Sequence, residues 1–428
     1  MKVLVVGSGG REHALVWALR RSPQVEEIHI APGNGGTGDI ATNVAISAED
    51  VPALVEYAQG QRFDLTVIGP EIPLALGLSD ALREAGLCVF GPSREAARIE
   101  SSKVFSKDFM RENRIPTAEY ATFRDYDAAS GYLAEHPAPI WVKASGLAAG
   151  KGAIGCHTDQ EARDALNQIM WERAFGEAGD EVVIEECLEG QEVSVLAFSD
   201  GKTVVPMILS QDHKAAYDGD VGPNTGGMGC YAPAPLIDDA MMERIKGEVL
   251  QVTVDAMRRQ GTPYMGVLYA GMMISGDDFK VLEFNCRFGD PETQVILPLL
   301  ETDLVSVLEA CIDGELDRVA LRWSDQTCVC VVMASDGYPG SYERGCEISG
   351  LEAAAQLPDT VVFHAGSRRD GDRVLTNGGR VLGVTAWADD LSTAIDRAYQ
   401  AVEVIHWPGA MFRRDIGAKG LRAQGATL

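Results

Sequence analysis

Apolar and polar positions follow one pattern over the first hundred residues and another beyond them. Short, almost unbroken apolar runs at Lys2–Val6, Glu27–Ala31, Asp64–Ile68 and Leu87–Phe90 predict strands buried on both faces. Helical spacing at Arg11–Arg20, Val51–Gln59 and Ala75–Ala85 fills the gaps between them. This alternation predicts a doubly wound, mostly parallel α/β domain, which takes ligands at the carboxyl ends of its strands. Gly7–Gly10, Ala31–Gly36 and Gly69–Glu71 occupy those ends.

After Gly91-Pro92-Ser93 the crossover helices thin out. A helix over Lys103–Glu112 precedes strands at Ala138–Ser145 and Ala153–His157, joined by the loop Gly146–Gly152. A helix over Asp159–Ala174, a strand over Glu181–Glu185 and a hairpin of Val193–Ser199 with Thr203–Pro206 follow. The Gly- and Pro-bearing stretch from Asp212 to Pro235 predicts a long irregular loop, and loops of that length inside a domain are usually functional. Beyond it come a helix over Asp239–Gln260, strands at Val267–Ile274 and Phe279–Phe284, and a helix over Thr293–Asp313. A boundary falls near Arg318–Asp325. Strands at Thr327–Ala334, Val361–Ala365 and Val381–Ala388, with a helix over Leu391–Ile405, predict a small C-terminal α+β domain.

A length of 428 residues suits about three or four domains. With 63 acidic against 37 basic side chains, the formal net charge of −26 excludes a phosphate polymer such as nucleic acid as partner. A small anionic substrate stays possible, because a local group of lysines and backbone amides overrides the mean field inside a cleft. No uncharged apolar stretch approaches the ~18 residues of a membrane span. The nine cysteines form no C-x-x-C pair, which predicts reduced thiols and a cytoplasmic setting.

Gly7-Ser8-Gly9-Gly10 begins like a dinucleotide fingerprint, but Glu12 stands where a third glycine belongs, and no acid closes the second strand at Ala31. NAD is therefore disfavoured, although amides near Gly9 and Gly10 could hold another anion. Gly146–Gly152 is no Walker motif either: it joins two strands, and Gly152 follows Lys151 where Ser or Thr would be needed. A glycine hairpin with Lys151 on it and Lys143 beside it does suit folding over a triphosphate. Glu283 and Asn285, two apart on a strand, project their oxygens from one face, as a hard divalent cation requires. Arg287, Asp290 and Glu292 follow around a glycine turn, an arrangement costly to bury without mutual pairing or a ligand. Asp212 and Lys214 offer one charge of each sign to a zwitterion such as an amino acid, and the glycines of Thr225-Gly226-Gly227 allow close backbone approach. His213 between them fits a structural place better than an acid–base one.

These segments, together with Gly7–Ala14, Gly69–Glu71, Ser210–Lys214, Gly222–Gly229 and Glu283–Gln294, resemble the ATP-grasp ligases and, within them, the glycinamide ribonucleotide synthetase family. The likeness runs from end to end. It implies an N-terminal substrate-binding domain over 1–102, a central ATP-grasp domain over 103–120 and 188–325, a lid over 121–187 and a C-terminal domain over 326–428. It further implies phosphate contacts from Lys103, Lys143, Gly146, Gly150, Lys151 and Gly152. Glu185, Glu186 and Leu188 would form a hinge over adenine, with Glu192 at the ribose. Mg2+ or Mn2+ would sit on Glu283 and Asn285, and Gly9, Gly10, Glu71, Asp212, Lys214, Thr225, Gly226, Gly227 and Asp290 would touch the other substrates. Arg287 and Lys214 become the catalytic candidates. The implied reaction joins glycine to phosphoribosylamine at the expense of ATP through glycyl phosphate, in a monomer whose partners are small molecules. One departure is Ser145, where the family usually has Asp before the loop. Rival readings are another carboxylate–amine ligase of purine metabolism and an inactive nucleotide-binding protein.

Overall fold

The computed structural model describes residues 1–148 and 151–425. Strands β1 (Lys2–Gly7), β2 (Glu27–Pro32), β3 (Thr42–Asn43), β4 (Leu65–Ile68) and β5 (Val89–Phe90) form a parallel sheet in the order β3-β2-β1-β4-β5. Helix α1 (Gly10–Arg20) starts directly at the end of β1, where the Glu12 carboxylate accepts from the Gly9 amide at 2.6 Å. Helix α2 (Val51–Gln61) is capped by Asp50, which accepts from the Ala53 amide. The single helix expected at Ala75–Ala85 is two, α3 (Glu71–Ala75) and α4 (Leu78–Glu84), because Gly77 between them takes a left-handed φ of +88°.

Helices α5 (Arg98–Ser101) and α6 (Lys103–Glu112) lead into a second unit, with Ser102 capping α6 through the Phe105 amide. Strands β6 (Tyr120–Phe123), β7 (Ile140–Ala144), β8 (Ala153–Cys156) and β9 (Val182–Glu186) make an antiparallel sheet in the order β6-β9-β7-β8. Its core is shared with α7 (Tyr126–Glu135) and α8 (Asp159–Leu166). The helix expected to run to Ala174 stops at Leu166 and ends in a π-helical turn, Asn167–Trp171.

The central layer consists of β10 (Gln191–Asp200) and its hairpin partner β11 (Val204–Pro206), continued by later strands. The stretch expected to be irregular contains four short strands: β12 (Gln211–Asp212), β13 (Ala215–Tyr217), β14 (Val221–Asn224) and β15 (Gly229–Ala232). Strands of two to four residues leave too few alternating positions for periodicity to show. Helices α9 (Asp239–Ile245) and α10 (Val252–Arg259), with a π-helical turn between them, precede β16 (Met265–Ser275) and β17 (Asp278–Asn285), giving the sheet order β11-β10-β16-β17. The expected helix over Thr293–Asp313 is α11 (Thr293–Leu299) and α12 (Leu304–Asp313), broken after Pro298 and restarted by Asp303 as cap.

The last part contributes β18 (Thr327–Ser335), β19 (Thr360–His364), the hairpin β20 (Ser367–Asp370) with β21 (Arg373–Thr376), β22 (Arg380–Ala388) and β23 (Ala410–Met411). β18, β22 and β19 continue the β12–β15 pair into one sheet ordered β12-β15-β18-β22-β19, with β23 also on β18. Among the described residues, no helix is long and apolar enough to cross a membrane.

Candidate active site

The carboxyl edge of the N-terminal sheet, helix α6, the tip of β7, the end of β17 and the start of β22 converge on a polar cavity of about 370 Å³. Its lining combines apolar side chains, among them Met110, Val183, Leu282 and Phe284, with many charged ones.

Lysines contribute much of that charge. Lys103 and Lys107 lie one turn apart on α6, and Lys143 reaches in from β7. Lys107 Nζ is 2.6 Å from Glu185 Oε2, and Lys143 pairs with Glu185 Oε1. Burial pulls both ammoniums below the ordinary lysine range, and for Lys143 the charge of Lys107 deepens the effect. Ser145, at the mouth of the glycine loop, accepts from the Val104 amide through Oγ and from the Lys103 amide through its carbonyl, so it anchors the start of α6.

Glu283 and Asn285 share one face of β17, opposite Gly271 and Tyr269 on β16. Among the described residues Glu283 has neither a hydrogen bond nor an ion pair through its side chain, unlike Glu71, Glu100, Asp290 and Glu292 around it. Burial opposes its charge, but Lys214, Lys103 and Lys143 outweigh burial and hold its carboxyl below the usual range. No three His, Cys, Asp or Glu side chains converge on a cage among the described residues. A carboxylate beside an amide oxygen fits Mg2+ or Mn2+, ions that complete their shells with water and phosphate oxygens rather than protein alone.

Arg287 does not pair with Glu283. Its guanidinium lies 3.2 Å from Glu71 and 3.0 Å from Glu100, and it donates to Asn285 Oδ1 at 3.3 Å. Glu100 also accepts from the Cys286 amide at 2.7 Å. Arg11, at the start of α1, donates to the Phe288 carbonyl at 3.1 Å and pairs with Glu12. The three charges following β17 are thus met by side chains from other elements and from the turn itself: Asp290 accepts from Gln294 and faces Arg380, and Glu292 accepts from Tyr269 and Ser194.

Lys214 pairs with Glu192, and both line a second cavity adjoining the first. Burial works against the Lys214 charge, yet Glu192, Asp212 and Glu283 raise its pKa above the ordinary lysine range. Burial pushes the Asp212 carboxyl up, with Glu292 and Glu192 adding to the effect and Lys214 opposing it. His213 points away into the core, 1% exposed, with its pKa lowered to about 3 by burial and then by Lys419 and Arg413. A neutral, enclosed imidazole is a structural group, as its sequence context suggested. Thr225 bonds back to the Lys214 carbonyl, and Arg380 donates to the carbonyls of Gly226 at 2.6 Å and Asp290 at 2.8 Å.

Of the residues singled out in the sequence, Glu71, Lys103, Lys143, Asp212, Lys214, Thr225, Gly226, Glu283, Asn285, Arg287 and Asp290 line the main cavity together. Glu185 lies just behind its wall, and Glu192 lines the neighbouring one. Glu186 is turned to Lys280 at 2.6 Å, and the Gly9 amide is occupied by Glu12. Gly10, Leu188, Gly227, Lys151 and Gly152 stand outside the cavity wall, Gly146 lines a separate surface hollow, and Gly150 lies outside the described residues. Sequence reasoning missed Arg11, Glu100, Lys107 and Arg380. Only Lys107 left a local signal, its spacing of four from Lys103 on a helix.

A lid sheet carrying lysines, a central antiparallel sheet ending in an acid–amide pair, and a cleft between them define an ATP-grasp ligase. Sequence models described as the phosphoribosylglycinamide synthetase N domain, ATP-grasp (A) domain and C domain match residues 1–100, 101–293 and 328–419. The chain belongs to the phosphoribosylglycinamide synthetase family. It is 50% identical to a phosphoribosylamine–glycine ligase of Vibrio cholerae serotype O1, with all of both chains covered. A crystal structure of the phosphoribosylamine–glycine ligase from Thermotoga maritima superimposes with a TM-score of 0.85 at 32% identity, covering 97% of this chain and 100% of that one. The biotin carboxylase domain of a Hydrogenobacter thermophilus 2-oxoglutarate carboxylase shares the fold at 17% identity and a TM-score of 0.74, covering 96% of this chain and 91% of that one.

Proposed function

We propose that this chain joins glycine to 5-phosphoribosylamine with ATP, giving glycinamide ribonucleotide, ADP and phosphate in de novo purine biosynthesis. The observation that carries the reading is the cleft itself, which brings together apolar side chains, lysines, Glu283 without a side-chain partner among the described residues, Asn285 and the adjacent Arg287. A nucleotide base fits the apolar side chains, and its phosphates fit Lys103 and Lys143. The glycine carboxylate attacks the γ-phosphorus, ADP leaves, and the resulting glycyl phosphate is taken at its carbonyl carbon by the amine. Phosphate departs and the amine loses a proton. In this reading Arg287 stabilises the charge on the acyl phosphate, and Lys214 and Asp212 bind the zwitterion. Mg2+ or Mn2+ held by Glu283 and Asn285 would supply neutralisation of phosphate charge. Such phosphoryl transfer depends on positioning and charge and needs no protein nucleophile.

Nine free thiols and the acidic chain fit a monomeric enzyme in the reducing cytoplasm, with small molecules as partners. The reading is tested by ADP formation, which should require glycine, phosphoribosylamine and a divalent cation together. ADP release with neither substrate, or with formate in place of glycine, would reject it.

A further inference from the structure

Lys107 has no part in the reaction just described, yet it is 3% exposed on the wall of the same cavity. Its ammonium is fixed from two sides. Thr117 Oγ1 accepts from it at 2.8 Å and in turn donates to the Val281 carbonyl of β17 at 2.7 Å, while Glu185 Oε2 lies 2.6 Å away. Glu185 is 2% exposed on β9 of the lid, and its other oxygen holds Lys143. One buried carboxylate thus joins a lysine of α6 to a lysine of β7. The further charged groups facing this trio are Lys103, Glu186, Lys214, Lys280 and Glu283. Glu185 Oε2, although beside an ammonium, has no aligned hydrogen bond among the described residues.

If Lys143 is to meet a phosphate it must loosen its hold on Glu185. A buried carboxylate deprived of its partner is strongly unfavourable, so without a second cation the nucleotide would have to overcome that penalty on entering. We propose that Lys107 is a positioning residue for nucleotide binding: it remains on Glu185 when Lys143 turns to the phosphates, so that one lysine is released without leaving a buried charge unpaired. This rests on the assignment of the cavity to a nucleotide. Thr117, in that account, keeps Lys107 from following Lys143 into the cleft.

The test is direct calorimetric binding of MgATP, together with kcat, KM for ATP and the urea midpoint, for Lys107→Met, Lys107→Arg and Thr117→Val. Lys107→Met should weaken MgATP at least tenfold in Kd and in KM while kcat stays within about threefold, and Lys107→Arg should recover most of the affinity. Thr117→Val should move Kd the same way by a few fold. Unchanged Kd with a lowered midpoint would make Lys107 a structural spacer and overturn the proposal. So would a loss confined to kcat, or an insoluble Lys107→Met accompanied by Thr117→Val of normal affinity. Because Kd is read without turnover, tight MgATP binding by the wild-type chain with no glycine-dependent ADP would reject the ligase reading alone.

Discussion

Glu283 stands opposite Gly271 in the register of β16 and β17, so the partner strand brings neither a second carboxylate nor a cation to it. Arg287, the next cation along the chain, is committed to Glu71 and Glu100. The charge of Glu283 is therefore left for a ligand. Glu283→Gln keeps the size and removes that charge, and turnover should fall at least about a hundredfold, roughly 2.7 kcal/mol of barrier. The urea midpoint should scarcely move. Near-normal turnover with a large fall in midpoint would instead make Glu283 a structural acid.

Arg287→Met has the opposite expectation for folding. It strands Glu100, whose carboxyl burial already pushes up against the pull of Arg287, and leaves Glu71 without its partner. Breaking such a buried pair costs about 3 to 5 kcal/mol, so both midpoint and turnover should drop. A variant of normal midpoint would show that the pairing contributes little.

Arg380 ties the start of β22 to the Gly226 carbonyl and to the Asp290 carbonyl. Arg380→Met removes charge-assisted bonds of about 1.5 to 3 kcal/mol each from the loop that follows Lys214, the residue proposed to hold glycine. KM for glycine should rise about tenfold or more, with KM for ATP nearly constant because the lysine wall is untouched. Equal changes in both constants would place Arg380 in a general structural role.

Stability should also fall on mild acidification. His13 accepts from the His364 amide at 2.9 Å, and burial, reinforced for His13 by His364, lowers their pKa values to about 3 and about 4 from 6.5. The unfolded chain takes up protons below about pH 6.5 that the folded chain refuses, so stability is full above that pH and is lost as pH falls towards 4. Each histidine contributes a slope of up to about 1.4 kcal/mol per pH unit. His13→Gln, which retains an acceptor, should flatten the fall in urea midpoint between pH 7 and pH 5; a profile parallel to wild type would exclude His13 as its source.

The parallel N-terminal sheet was legible because its strands are buried on both faces and read as continuous apolar runs, as Val3, Val5, Leu65 and Val67 show. Lys143, Glu283 and Asn285 were legible for a related reason: their chemistry is adjacent in sequence to the strand that presents it. Arg380 and Glu100 were not, since each meets its partner across a long separation and neither sits in a distinctive local pattern. The strands within Asp212–Pro235 were hidden for a third reason. Gly229–Ala232 is a strand because β18 lies beside it, a hundred residues later, and its own four residues carry little preference.

That last pairing also limits where this chain can be divided. β15, with β12 on its outer side, belongs to a sheet whose remaining strands begin at Thr327, and Gly229 pairs with Val331, Tyr231 with Val329. A cut near residue 326 would leave both fragments with an unpaired strand edge, the kind of edge that recruits foreign strands and aggregates. Exchange of the C-terminal part between relatives therefore transplants cleanly only when residues 211–232 travel with it, and two separately produced halves should regain solubility by finding each other through that seam.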